Sequence, residues 1–561
     1  MAVRQARPLA ELLLEQGLVS RDQLQAAQAE AARSGQPLKR VLVQKGFVSE
    51  ADLTALIAVQ SGVMSLDLAN HLIKPEVVQL VPEALARKHT LVPVFAIGES
   101  LTVAMDDPLN FFAIDELRLK AKREIKTVVA SETSIRQAIE QYYGAAGTIA
   151  DVAQAIQEAA LPQNEKEAAA EAPIIRLVNL LIMQAVRERA SDIHIEPGEG
   201  VLRTRFRVDG VLREVNGPPV HLASAVVSRI KVLAGLDIAE KRKPQDGRFQ
   251  LKMEGKGIDL RVSVVPTQFG EKVVMRLLDP ANAVLSLSQL GLEDASREQV
   301  ERLIRAPHGI LLVTGPTGSG KTTTLYAALN LINSMERNII TIEDPVEYRL
   351  AGVNQVQVNP KAEVTFASAL RSFLRQDPDI IMVGEVRDRE TAEIAIQAAL
   401  TGHLVFSTLH TNDAPGSLTR LIDMGVEPFL VASSVIGVLA QRLIRLVCQK
   451  CRESYEPAAA LAAQLHLEKR AMLYRGKGCA SCRQSGYKGR LGIFELLPMT
   501  GAIKDLVVSK APAHAIRERA REAGMRSLRA DGVAKACAGV TTIEEVIRVT
   551  QLEQEASGPD A

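Results

Sequence analysis

The stretch GILLVTGPTGSGKTTTLYAALNLI (309–332) constrains the fold more than any other part of this chain. An apolar run leads into Gly315, four further residues, then Gly320-Lys321-Thr322 and a helical pattern. Holding phosphate on backbone N–H groups needs glycines where a Cβ would clash, with a helix N-terminus behind them. It also needs a lysine for the terminal phosphates and a hydroxyl for Mg2+. Strand, helix and Lys-Thr are all in place. Gly315, Pro316, Thr317, Gly318, Ser319, Gly320, Lys321, Thr322 and Thr323 therefore read as a phosphate loop rather than a chance glycine turn. The expected core is α/β, with parallel strands delivering side chains to one crevice at their carboxyl ends.

Two further apolar strands end in acids. NIITIEDPVEY (338–348) carries Glu343 and Asp344, and DIIMVGEVRD (379–388) closes on Gly384-Glu385. Acids at strand ends beside a phosphate loop can support Mg2+ or orient the attacking water. A lone strand-end acid is ordinary; several strand ends converging on one crevice are not. TGHLVFSTLHTNDA (401–414) puts His403 and His410 around a short strand, with Ser407, Thr408, His410 and Thr411 where a γ-phosphate sensor could sit. Upstream, arginines recur on strands: Arg205 and Arg207 in RFRVDG, Arg261 in DLRVS and Arg276 in VVMRLL. They fit either a salt-bridged sheet face or planar forks that reach phosphate across a subunit boundary.

The chain before the loop divides by pattern. LAELLLEQGLVSRDQL (9–24) matches LKRVLVQKGFVSEADL (38–53) at an offset of 29. Each copy reads as helix, glycine cap, serine cap, helix, and neither can bury its apolar face without the other. Residues 1–66 are expected to form this tandem hairpin and 67–143 a mixed α/β domain. The alanine-rich, acidic stretch 144–172 reads as a flexible linker with one weak helix. An α+β domain with arginine-bearing strands follows at 173–282. An α/β nucleotide-binding core is expected at 283–500, with helices over 501–561. The apolar run FLVASSVIGVLA (429–440) is too short to span a bilayer and reads as a buried helix. The start of the chain lacks the apolar core of a signal peptide. The expected location is cytoplasmic, with any membrane role peripheral.

The cysteines offer three readings: redox switch, disulfide pair or metal clasp. Persistent disulfides are disfavoured in the cytoplasm. Cys448-x2-Cys451 and Cys479-x2-Cys482 form two knuckles around a 27-residue insert, and four thiolates suit tetrahedral Zn2+. A thioredoxin-like pair needs only one such motif. The unpaired Cys537 is expected to be a small buried side chain.

From about 170 to 550 the chain resembles the secretion and pilus assembly ATPases (the GspE/PilB family). SDIHIEP, RFRVDGVLREV, KRKPQDGRF, VTGPTGSGKTTTLY, TIEDPVEY, LRQDPDIIMVGEVRDRETA, TGHLVFSTLHTNDA and LAQRLIR occur in the family's order. The resemblance implies a hexameric ring with a RecA-like core after a PAS-like α+β domain, and ATP bound between the two. It implies that Lys321 and Thr322 hold phosphate and Mg2+, and that Glu343 polarises the attacking water. Glu385 would stand at an atypical Walker B and support Mg2+, and His410 in the histidine box. Arg207, Arg261 and Arg276 are the implied phosphate contacts. The same clasp of cysteines in relatives implies structural Zn2+ that holds out the 452–478 insert. The amino-terminal repeat looks like a tandem (MshEN-like) module that binds cyclic di-GMP in some members. Its copies start Pro8-Leu9-Ala10 and Pro37-Leu38-Lys39, without the arginines and early glycines of that pattern. It therefore reads as a docking module.

The function expected is ATP hydrolysis that powers pseudopilus assembly in type II secretion, with type IV pilus extension as the alternative. The implied partners are an inner-membrane platform protein and a cytoplasmic assembly protein. A nucleic-acid translocase would share the motor core. A net charge of +1, 3% aromatic residues and no tryptophan argue against nucleic acid as a partner. A non-catalytic cyclic-dinucleotide receptor would instead leave Lys321 dispensable.

Overall fold

The computed structural model describes residues 9–68, 71–143, 166–253, 256–278, 285–458, 461–462 and 472–550. The chain forms two compact units, residues 1–279 and 280–561.

The first unit opens with the repeat: α1 (Leu9–Glu15), α2 (Arg21–Ser34), α3 (Leu38–Gln44) and α4 (Glu50–Ser61). Gly17 and Gly46 take matching left-handed conformations (φ 65° and 69°), which a Cβ would strain. Ser20 and Ser49 accept hydrogen bonds from the N–H groups of Gln23 (3.2 Å) and Asp52 (3.1 Å). Equivalent residues of the two copies meet in one core: Leu13 with Leu42, Val19 with Val48, Leu24 with Leu53.

The mixed segment comprises β1 (His71–Leu72), α5 (Pro75–Val78), α6 (Glu83–His89), β2 (Leu91–Ile97), β3 (Ser100–Met105), α7 (Phe111–Ala121), β4 (Glu124–Val129) and α8 (Glu132–Tyr143). Strands β2–β4 form one sheet, while β1 leaves it and pairs in parallel with the next sheet. Of the stretch expected to be a flexible linker, 144–165 lies outside the described residues. The remainder, 166–172, is helical, the first two turns of α9 (Lys166–Arg187). Its run of Ala, Glu and Lys favours a helix as strongly as it lacks apolar anchors.

After α9 come β5 (Ala190–Gly198), β6 (Val201–Val208), β7 (Val211–Val215), α10 (Ala223–Leu233), β8 (Gln245–Met253), β9 (Lys256–Thr267) and β10 (Gly270–Leu278). The strand order is β1-β8-β9-β10-β5-β6-β7, antiparallel except at β1. Strand alternation sends Ile193, Phe206, Leu260, Val262 and Met275 into a core with Leu177, Leu181 and Ile230 of the two helices. The opposite face carries the arginines.

The second unit is the α/β core. It runs α11 (Asp294–Ile304), β11 (Gly309–Thr314), α12 (Lys321–Ile332), β12 (Ile339–Glu343), β13 (Asn354–Gln357), α13 (Phe366–Phe373), β14 (Ile380–Val383), α14 (Arg389–Leu400), β15 (Leu404–Leu409), α15 (Pro415–Asp423), α16 (Pro428–Ser434) and β16 (Val435–Val447). The hairpin β17 (Arg452–Tyr455) and β18 (Leu473–Gly476) precedes β19 (Tyr487–Pro498), then α17 (Gly501–Val508), α18 (Ala513–Glu522), α19 (Leu528–Cys537) and α20 (Ile543–Thr550). The sheet order is β13-β12-β14-β15-β11-β16-β19, and only β19 is antiparallel. The phosphate-loop strand is thus central, and the carboxyl ends of β12, β14, β15 and β16 open on its side of the sheet.

One expectation fails here. Residues 429–440 are not a single buried helix: α16 stops at Ser434 and the rest is the start of β16. A fully buried parallel strand and a buried helix are equally apolar. The β-branched Val435, Ile436 and Val438 decide for the strand.

Candidate nucleotide site and tetracysteine cluster

β11 delivers the loop and α12 receives it. Gly315 and Gly320 have φ of 148° and 88°, and both abut β16. A Cβ on Gly315 would stand 2.4 Å from the Gln441 carbonyl, and one on Gly320 2.8 Å from Gln441 Nε2. The strand behind the loop therefore demands these glycines independently of any ligand. Lys321 is buried and donates to the carbonyls of Gly315 (2.9 Å) and Pro316 (3.1 Å). Burial pushes its pKa down, against the pull of Glu385. A phosphate entering the loop would replace those two carbonyls as the acceptors of the ammonium. Thr322 is the second residue of α12 and half-buried.

The two acids differ. Glu343 ends β12 and is 3% exposed. Its carboxylate accepts from Tyr326 of α12, from Thr341 Oγ1 (2.6 Å) and from Gln355 Nε2 (3.1 Å). Burial raises its pKa, and those three donors only partly offset the effect. Glu385, just past β14, pairs with the Arg387 guanidinium and lies 3.2 Å from His410 Nε2. Asp344 stands 4.0 Å from Arg387. Glu385 and His410 thus meet, whereas Glu343 faces the helix behind the loop.

The sheet separates the two histidines. His410 follows the carboxyl end of β15. His403 precedes its other end, donates from Nδ1 to Ala398 O (2.9 Å) and lies 3.2 Å from Thr401 Oγ1, a helix-end contact. Ser407 and Thr408, placed by sequence near a γ-phosphate, donate instead to the Val383 and Gly384 carbonyls (2.9 and 2.7 Å). Thr411 hydrogen-bonds to Thr314 Oγ1 (2.6 Å) and ties β15 to the mouth of the loop.

The arginines belong to the first unit. Sheet register places Arg248, Arg261, Arg276, Asp192 and Arg207 opposite one another in one row across five strands. Asp192 takes Arg276 at 3.1 Å and Arg207 at 3.4 Å. Arg205 pairs with Glu196 at 2.7 Å in a neighbouring row, as a salt-bridged face would have it. The row thus sets four guanidiniums beside the Asp192 carboxylate, planar forks of the kind that bind phosphate oxygens.

The four cysteines converge. The Sγ atoms of Cys448, Cys451, Cys479 and Cys482 all lie within 4.8 Å of one another. The separations Cys448–Cys479, Cys451–Cys482 and Cys479–Cys482 are 3.8, 3.8 and 3.7 Å. Four sulfurs about 2.3 Å from one zinc ion stand about 3.8 Å apart at the corners of a tetrahedron. A disulfide would need about 2.05 Å. The donor set therefore fits Zn2+ in number, chemistry and spacing. The N–H groups of Cys479 (3.2 Å) and Gly486 (3.3 Å) also donate to Cys482 Sγ, as outer-shell contacts to thiolates do. Of the insert expected to be held out, 459–460 and 463–471 lie outside the described residues, and its β17–β18 hairpin packs on the helices that follow. Leu473 and Tyr455 join Ala536, Ile543 and Val546 of α19 and α20, and Cys537 is half-buried beside them.

Sequence reasoning assigned no role to Gln441, Tyr326, Gln355 or Arg442. Gln441 Nε2 donates to Ser319 O (2.7 Å) and its Oε1 accepts from Thr324 Oγ1 (2.6 Å). Arg442, 7% exposed, donates to Asn412 O (3.0 Å) just past His410. The available signal was a Gln-Arg pair breaking the apolar run of a buried strand. Tyr326 and Gln355 carry no such mark.

Residues 167–548 match the sequence profile described as "Type II/IV secretion system protein". The chain belongs to this family. The profile described as "MshEN domain" matches residues 61–149. Among relatives of this secretion-family ATPase, the type IV pilus assembly ATPase PilB of Myxococcus xanthus is 48% identical over 554 residues, 96% of this chain and 98% of its own. The type II secretion system protein E of Pseudomonas aeruginosa is 49% identical over 486 residues, 84% of this chain and 96% of its own. The crystal structure of the ATPase DotB of Yersinia pseudotuberculosis shares the fold: TM-score 0.52 at 22% identity, covering 67% of this chain and 94% of that one. The protein is an ATPase with a RecA-like core. Among the described residues, no helix is long and apolar enough to cross a membrane.

Proposed function

We propose that this ATPase is the hexameric motor that powers assembly of a pilin-type filament from the cytoplasmic side of the inner membrane. The family match over 167–548 carries the reading, supported by a phosphate loop that shares one unit with Glu343, Glu385 and His410. Lys321 takes the terminal phosphates and Thr322 with Glu385 supports Mg2+, which supplies charge neutralisation. Arg387 and His410 fix the Glu385 carboxylate. Glu343 polarises the attacking water. Arg207, Arg261 and Arg276 reach phosphate oxygens of a nucleotide held by a neighbouring subunit of the ring. The four cysteines hold structural Zn2+: pure protein should carry one zinc per chain, and Cys479→Ser should lose it.

The filament is a pseudopilus of type II secretion, the branch of the relative from Pseudomonas. One observation favours the type IV pilus instead: the relative named PilB aligns over 96% of this chain, against 84% for the type II relative. The repeat and the mixed segment serve as the docking module for the inner-membrane platform and the assembly protein. Deleting the gene and complementing with wild type or Lys321→Ala tests both branches. Lost protein secretion with surface pili intact selects the first, and lost pili with secretion intact the second. Normal secretion and piliation in the deletion sinks the proposal.

A further inference from the structure

Gln441 is 2% exposed and lies on β16, one residue past the Thr314–Ala440 pair that ends the strand before the loop. A buried amide must find partners for both its ends. Gln441 finds them at the two ends of the loop turn: the Ser319 carbonyl (2.7 Å) and the hydroxyl of Thr324, one turn into α12 (2.6 Å). Its own backbone carbonyl closes the space beside Gly315.

These contacts fix more than packing. In a planar trans peptide the C=O and the following N–H point in opposite directions. Drawing the Ser319 carbonyl toward β16 therefore turns the Gly320 N–H away from it. Thr324 sets the sense of the amide. With its hydroxyl donating to Oε1, Nε2 is left to face Ser319; the flipped amide would set two acceptors against each other.

We infer that Gln441 and Thr324 are a positioning pair that holds the phosphate loop in its phosphate-accepting shape before nucleotide arrives. Neither side chain needs to touch the ligand. Both act through the Ser319–Gly320 peptide. The inference rests on reading 315–322 as the nucleotide loop. A pre-set loop favours bound ground state and transition state alike, so its loss appears in binding rather than turnover.

The test uses the full chain with ADP and ATP. Gln441→Met keeps the length of the side chain and removes both hydrogen bonds. It should raise the Kd for ADP and the KM for ATP about ten-fold each, with kcat within about three-fold of wild type. Thr324→Val should act in the same direction and Thr324→Ser should restore wild-type values, a comparison that stands even if Gln441→Met does not fold. The double variant should be no worse than Gln441→Met alone, because both remove one device. Lys321→Ala separates this inference from its premise. If Lys321→Ala still binds ADP normally, the loop assignment itself fails. If it loses ADP while Gln441→Met and Thr324→Val bind within two-fold of wild type, the positioning pair fails. A fall in kcat with Kd unchanged also overturns it.

Discussion

Two glutamates of the second unit are almost wholly buried yet live in opposite surroundings. Glu343 at the end of β12 is 3% exposed and meets only neutral donors: a tyrosine, a threonine and a glutamine. Glu545 on α20 is 1% exposed and is gripped by two guanidiniums, Arg445 of β16 at 2.7 Å and Arg548 at 2.6 Å. Burial works against ionisation of both. At Glu343 burial wins and the pKa rises. At Glu545 the two arginines outweigh burial and hold it down to about 2. Burial alone therefore does not mark a chemical role; the charge of the partners does. Glu545 is locked as a carboxylate and serves as a clamp between α20 and β16. Glu343 has no such ionic lock among the described residues: its three donors are all neutral.

The comparison breaks most sharply on turnover. Glu343→Gln should lower kcat roughly 10²–10³-fold while leaving ADP affinity within a few-fold, by steady-state ATPase assay and nucleotide titration. Glu545→Ala should instead leave kcat per folded molecule near wild type. It strands Arg445, whose side chain is 16% exposed, and should cost about 3 kcal/mol of stability by denaturant melts. A full rate loss in the second variant, or an unchanged rate in the first, would reverse the assignment.

Acid then distinguishes the two in wild type. Stability supplied by a depressed carboxylate is present above its unfolded pKa and lost as pH falls through the folded one. The Glu545 clamp should thus hold at pH 5 and fail between about 4.5 and 2. A raised carboxylate has the opposite sign: Glu343 loses stability as pH rises from its unfolded pKa of 4.5 through its folded one, and the loss is complete above that. Glu343→Gln should accordingly melt higher than wild type at pH 8 and lose that advantage toward pH 4. Thermal melts across this range check both. The smallest effect is expected for Tyr326→Phe. It removes a donor that favours the Glu343 carboxylate, so the acid limb of the kcat profile should move toward neutral pH.

What the sequence made legible follows the range of each signal. The phosphate loop, the repeat and the cysteine knuckles are local patterns, and their residues converge as spacing predicts. The strand-end acids were visible too, but not that one of them faces a tyrosine 17 residues earlier in α12. The clamp joins residues 100 apart, and the arginine row depends on sheet register, which brings Arg248 beside Arg261. No short window carries either. The start of β16 was misread because an apolar run of that length fits helix and strand equally.

The two-residue strand β1 has a practical consequence. His71 and Leu72 cover the outer edge of β8 at Lys252 and Met253, and Leu72 is 2% exposed within the core of that sheet. Cutting the chain within 144–165 to isolate the later domains would strip that cover. The trimmed protein would present a bare strand edge beside an opened apolar seam, a template for self-association. A soluble fragment of this ATPase is therefore better begun before residue 71 than after residue 143.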